Sequence, residues 1–270
     1  MVLYGQCPHL VKTGHRPSTT ISRRFQPYIP EVVRQMRADG IEEAAVICMA
    51  PQNSRTSVGL YRRAVEAESA GMRIDFTAGW ANHPLLADAF AERLRSALAK
   101  LNGELGGAVP VLFTAHSVPT RTVEALPATD AGPKLWPGQG ADPYAEEARR
   151  TAELVAERVD GIPRWWFAFQ SQGASGGSWL GPSVEETLDG MAAEGVKTVV
   201  LQPIGFLCDH VEILFDVDRL FREYAGKLGI RLERPESLNA SPTLAKAILD
   251  LASNGLKRLS SEGSNGSRVD

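Results

Sequence analysis

The chain has 270 residues, 43% of them hydrophobic and 23% charged, which allows a sizeable core and, at about 150 residues per domain, two lobes. Lys and Arg number 29 against 32 Asp and Glu, a balance that offers no basic face to nucleic acid or an anionic membrane. No apolar run approaches the ~18 residues of a membrane span, and the opening MVLYGQCPHLVKTGH lacks the unbroken apolar core of a signal peptide, so a cytoplasmic protein is expected.

In chain order, residues 1–22 scatter Gly, Pro, His and Lys, read as no strand, and are expected to stand apart from the fold. Short runs rich in Val, Ile and Phe predict strands at 44–50, 73–77, 109–115, 165–169, 198–203 and 230–233. Segments of helical period separate them, and this alternation predicts an α/β protein with parallel sheets covered by helices. Behind the first clear strand, MAPQNSRTSVGLYRRA sets Ser54, Arg55 and Thr56 where hydroxyls and a guanidinium could bind a carboxylate or phosphate; without a Gly-Lys-Ser/Thr ending it is no P-loop. The stretch NGELGG at 102–107 is the simplest lobe boundary, giving a first lobe over 1–107 and a second over 108–256. Residues 126–140 are rich in Pro and Gly and predict a long loop. The segment from Asp142 predicts a helix, with Asp142 at its cap and Pro143 in its first turn. On the aromatic strand RWWFAFQ, period two sends Trp165, Phe167 and Phe169 to one face and Trp166 and Ala168 to the other. The last residues, 257–270, are polar and expected to be disordered.

Ligands of open parallel sheets sit beyond the carboxyl ends of the strands. His116 stands at such an end, where VLFTA gives way to HSVP; a hydrogen-bonded structural histidine is the plain alternative. In PIGFLCDHVEILFDVDRL, Glu212 and Asp216 are four residues apart and share a helix face, though acids also suit a helix N-terminus for its dipole, and Asp209 and His210 fit cap and support. One His and one or two carboxylates suit a metal in transit or proton exchange better than tight structural zinc. Cys7, Cys48 and Cys208 lack C-x-x-C spacing, which argues against a zinc or iron-sulfur site and for reduced thiols.

Four blocks, FTAHSVP, ADPYAEEARRTAELVAERV, FQSQGASGGSWLGPSVEETL and PIGFLCDHVEILFDVD, stand in the order and character of the ferrochelatase family, with weaker similarity from Arg23 to Ala252. The resemblance implies two Rossmann-like lobes, the first incomplete, around a porphyrin cleft, and insertion of Fe2+, as a substrate, into protoporphyrin IX or coproporphyrin III in heme synthesis. It implies that His116 and Glu212 are catalytic and look at each other across a slot that holds the macrocycle. It makes Asp216 the next acid on the metal or proton path and Phe169 an aromatic against the ring, with Arg23, Arg24, Ser54 and Thr56 lining the cleft. No organic cofactor and no iron-sulfur cluster are expected. Leu220 stands where relatives often carry a further acid. The strand and loop with which the family usually opens are not recognisable, so the strand at 44–50 is expected to show an unpaired edge. A porphyrin-binding fragment without turnover and a chelatase for another tetrapyrrole are the alternatives.

Overall fold

The computed structural model of the chain describes residues 2–3, 20–21, 27–124, 141–173 and 177–265, with side chains described from 27 to 261 within those ranges. Two four-stranded parallel sheets dominate it. The first comprises β1 (Val2–Leu3), β2 (Thr20–Ile21), β3 (Glu43–Cys48) and β4 (Arg73–Thr77) in the order β2-β1-β3-β4. The second comprises β5 (Val111–His116), β6 (Trp165–Gln170), β7 (Thr198–Pro203) and β8 (Arg231–Glu233) in the order β6-β5-β7-β8. All six strands expected from the apolar runs form, within a few residues of their expected bounds. Both faces of β5 and β7 are covered, which is why VLFTA and VVLQP read as continuous rather than alternating apolar runs.

Helices α1 (Ile29–Ala38), α2 (Val58–Glu66), α3 (Pro84–Leu105), α4 (Tyr144–Ala156), α5 (Val184–Ala193), α6 (Arg222–Lys227) and α7 (Pro242–Asn265) cover the sheets. A π-helix spans Glu212–Phe221. The period-two reading of β6 holds. Trp165, Phe167 and Phe169 join the cluster built on Phe90, Leu94 and Phe113, while Trp166 and Ala168 join Val184, Leu188, Ile213 and Val217. The first cluster is common to both sheets, running from Ile47 and Met49 through α3 to β5 and β6.

Three expectations are corrected. The edge of β3 is occupied, because β1 pairs with it in parallel at Ile47 and Cys48. The polar tail is not structureless from 257, since α7 continues to Asn265 and buries Leu259. Cys48 is free and buried, and burial pushes its thiol up to about 12; Cys208, by contrast, is disulfide-bonded, against the expectation of reduced thiols.

Helix α7 also returns to the first sheet, which the division at residue 107 did not foresee. A Cβ on Gly255 would lie 3.0 Å from the Cβ of Ala45 and 2.7 Å from a carboxylate oxygen of Asp75, so helix and sheet touch closely there. Arg258 forks onto Asp75 at 2.7 and 2.8 Å, and Arg73 donates to the carbonyl of Leu259 at 2.9 Å. Among the described residues, no helix is long and apolar enough to cross a membrane.

Candidate active site

In the second sheet the chain runs from β5 outward to β6 and then crosses back to β7 on the other side of β5. Loops beyond the carboxyl ends of β5 and β7 therefore diverge, and that opening is where open α/β sheets hold ligands. His116 is the last residue of β5, and Glu212 begins the π-helix that follows β7. Their Nε2 and Oε2 atoms are 3.6 Å apart, and both side chains are about one-third exposed. Gly205 brings the connecting segment to the strand end; a Cβ there would sit 3.3 Å from the Cα of Ala115.

Each partner is held from behind. Nδ1 of His116 bonds the carbonyl of Ser117, so Nδ1 carries a ring hydrogen, and in the neutral ring the lone pair of Nε2 then lies toward Glu212. The hydroxyl of Tyr144 donates to the His116 carbonyl at 2.8 Å. Burial, and after it the charges of Asp142 and Glu212, hold the Tyr144 phenol above its ordinary range, so it remains a donor. A Tyr144→Phe variant is expected to lose about 1 kcal/mol of stability in urea denaturation.

Glu212 Oε2 is buried and makes no hydrogen bond. The Glu212 backbone N–H donates to Nδ1 of His210 at 3.2 Å. The His210 ring lies 4.5 Å from that of Phe206, which in turn meets His116 edge-on at 6.1 Å. Burial first, and the nearby His116 as well, push His210 down to about 4, against the opposing pull of Asp209 and Asp216. The sign follows from linkage: below pH 6.5 an unfolded chain takes up a proton that the folded one refuses until about pH 4. Stability is therefore expected to fall as pH drops through that window. Urea midpoints measured across it should fall less in His210→Asn, whose side-chain oxygen can still accept the Glu212 N–H.

Asp216 accepts a hydrogen bond from Ser171 Oγ. Ser171 has φ of 60°, an uncommon value outside glycine, and it stands at the end of a chain of bonds from Thr114 through Gln170. Among the described residues no group of three or more His, Cys, Asp and Glu side chains is arranged to hold a metal ion. His116 and Glu212 form a pair, with Asp216 farther along the same helix.

The structure changes several expected roles. A flat ring in contact with groups on both of its faces needs about 7 Å between them, twice a carbon contact distance of about 3.5 Å. At 3.6 Å, His116 and Glu212 leave no such slot between them. Phe169 is 3% exposed and packs on Phe167 and Tyr144 at ring distances of 5.1 and 6.4 Å, which makes it core rather than a surface for a ligand. Ser54 is buried and bonds Thr56 at 2.8 Å instead of facing open space. Its loop is pinned to the second lobe by Asn53 on Glu147 and by the Arg55 N–H on Asp142. Arg23, Arg24 and the loop 126–140 lie outside the described residues. Tyr144 and Ser171 were not anticipated: they act through residues distant in sequence, and only the FTAHSVP and DPY blocks together hint at the first.

Comparison with known proteins bears on this geometry. Residues 10–256 match the profile of the Ferrochelatase family. A ferrochelatase of Acidobacterium capsulatum is 57% identical over 238 residues, covering 88% of this chain and 73% of that protein. One from Deinococcus radiodurans is 37% identical over 250 residues, with 88% and 74% covered. A coproporphyrin III ferrochelatase of Mycolicibacterium vanbaalenii is 33% identical, with 85% and 66% covered. Among solved structures, SirB from Bacillus subtilis with Fe3+ superposes with a TM-score of 0.59 at 12% identity, covering 88% of this chain and 83% of that one, a likeness of fold alone.

Proposed function

The chain belongs to the ferrochelatase family, and on that premise we propose that it inserts Fe2+ into a porphyrin with His116 and Glu212 acting together on one face of the macrocycle. One observation carries the assignment of residues. With its hydrogen on Nδ1, His116 turns the lone pair of Nε2 toward a carboxylate oxygen that is buried and has no hydrogen bond. Two electron-rich atoms so placed repel, and a proton or a cation between them converts repulsion into attraction.

The reaction supplies both. Each porphyrin that takes up one Fe2+ releases two pyrrole protons. His116 Nε2 accepts one, and the imidazolium so formed pairs with Glu212. Before that, the same two atoms can hold the incoming ion: bonds of about 2.0–2.2 Å from nitrogen and oxygen to a first-row ion span such a separation at a nearly tetrahedral angle. Two ligands leave the ion free to depart, as a transferred metal must. Asp216, held by Ser171, offers the next carboxylate along the helix for the second proton or for the approaching cation.

The test is anaerobic incubation of the purified chain with protoporphyrin IX or coproporphyrin III and Fe2+ or Zn2+, followed by porphyrin absorbance. Metalloporphyrin should accumulate with at least one of the two porphyrins, and the faster one names the substrate. If neither exceeds the protein-free rate, the proposal is wrong.

A further inference from the structure

The segment that carries Glu212 and Asp216 is held at two points by one guanidinium. Arg234, just after β8, sends Nε and Nη2 to the two oxygens of Asp218 at 2.7 and 2.8 Å. Its Nη1 lies 3.2 Å from Oδ1 of Asp209, and the side chain is only 10% exposed. The same short stretch of chain secures Asp209 further. Ser237 Oγ and Asn239 Nδ2 donate to its carboxylate at 2.7 and 2.9 Å, and its backbone N–H donates to Asn239 Oδ1 at 2.9 Å. Asn239 itself has φ of 46°. One anchor precedes Glu212 by three residues and the other follows Asp216 by two.

Ten residues of π-helix call for a cause, since this winding is rare and mostly confined to single turns. A π-turn is wider and rises less per residue than an α-turn. Relaxation to α would therefore lengthen the segment and carry Asp218 away from Asp209. Arg234 bonds both at the spacing that the π winding sets. Uncommon backbone persists where its surroundings over-determine it, and a two-ended clamp of this kind does so.

We infer that Arg234 is a positioning residue: by holding Asp209 and Asp218 on one guanidinium it keeps the helix between them π-wound and presents Glu212 to His116. The effect on metal handling rests on the chelatase reading given above; the effect on the helix does not. A lysine keeps the charge of Arg234 but has no fork to engage both carboxylates.

The experiment compares the full chain with Arg234→Lys and Asp218→Asn by hydrogen exchange, by porphyrin quenching of tryptophan fluorescence and by Zn2+ insertion kinetics. Exchange of amides 213–221 should quicken about tenfold in either variant, with β5 and β7 unchanged. The KM for Zn2+ should rise about tenfold to a hundredfold, as for other groups that orient a ligand from behind, while porphyrin binding stays within about twofold of the parent. The double variant should add little to either single one. Unchanged exchange at 213–221, or quickening spread equally over the sheet, overturns the clamp. Faster local exchange with an unaltered KM for Zn2+ leaves Arg234 structural and overturns its role in positioning. A parent chain that inserts no metal refutes the chelatase reading instead, and with it the metal half of the inference, while the exchange result still decides whether the clamp exists.

Discussion

His116→Ala is expected to slow metal insertion by a factor of about 100 to 10,000, the usual contribution of a positioned proton acceptor, while porphyrin still quenches tryptophan fluorescence. The variant removes the Nε2 lone pair 3.6 Å from Glu212 and leaves that carboxylate oxygen without a neighbour to share a cation. The hydrogen bond from Tyr144 goes to the backbone carbonyl of residue 116, so it survives the change and the strand end stays in place. Glu212→Gln makes the complementary test, because it preserves shape and removes charge. Its rate should also fall, and its KM for metal should rise more than that of Tyr144→Phe. If His116→Ala retains more than about a tenth of the parent rate, the proton and the metal are being handled elsewhere.

A second variant, Phe113→Ala, is expected to cost about 3–5 kcal/mol, the range for a fully buried aromatic truncated to alanine. Phe113 is entirely buried on β5, and its ring meets Trp165 edge-on at 5.6 Å. It belongs to the apolar cluster that both sheets share through α3, so the void left behind cannot collapse by a shift of one lobe alone. Urea denaturation followed by far-UV circular dichroism measures the loss. A cost below about 1 kcal/mol would mean that the strand carrying His116 packs differently from the way described.

The strands were legible because each is a short apolar run with a clear end, and the parallel sheets follow from the helices between them. The position of His116 was legible for the same reason, since VLFTA stops at it. The winding of 212–221 was not. Ile213, Val217 and Phe221 are buried at intervals of four, a spacing that α and π turns both satisfy, and the choice depends on Arg234, whose carboxylate partners lie 16 and 25 residues back in the chain. Nor could the strand order say whether His116 and Glu212 face one another across a gap or side by side, because topology places strand ends and leaves side-chain separations open. On β6 the alternation was right and the role of Phe169 was not: the resemblance put an aromatic against a ligand, whereas period two alone already set it with Phe167 in the core. The end of α7 was missed because its serines and charges look like a tail, although Leu256 and Leu259 continue the apolar stripe.

The docking of α7 on β3 and β4 sets an order of events during synthesis. Those strands end at Thr77, and the helix that shields them starts only at Pro242, so they are synthesised long before it. Until then a nascent first lobe displays Ala45 and its neighbours to solvent or to a chaperone, a state prone to association. A premature stop anywhere before Gly255 would make that exposure permanent, so even a nonsense codon far from His116 in sequence should yield insoluble protein rather than a slower enzyme.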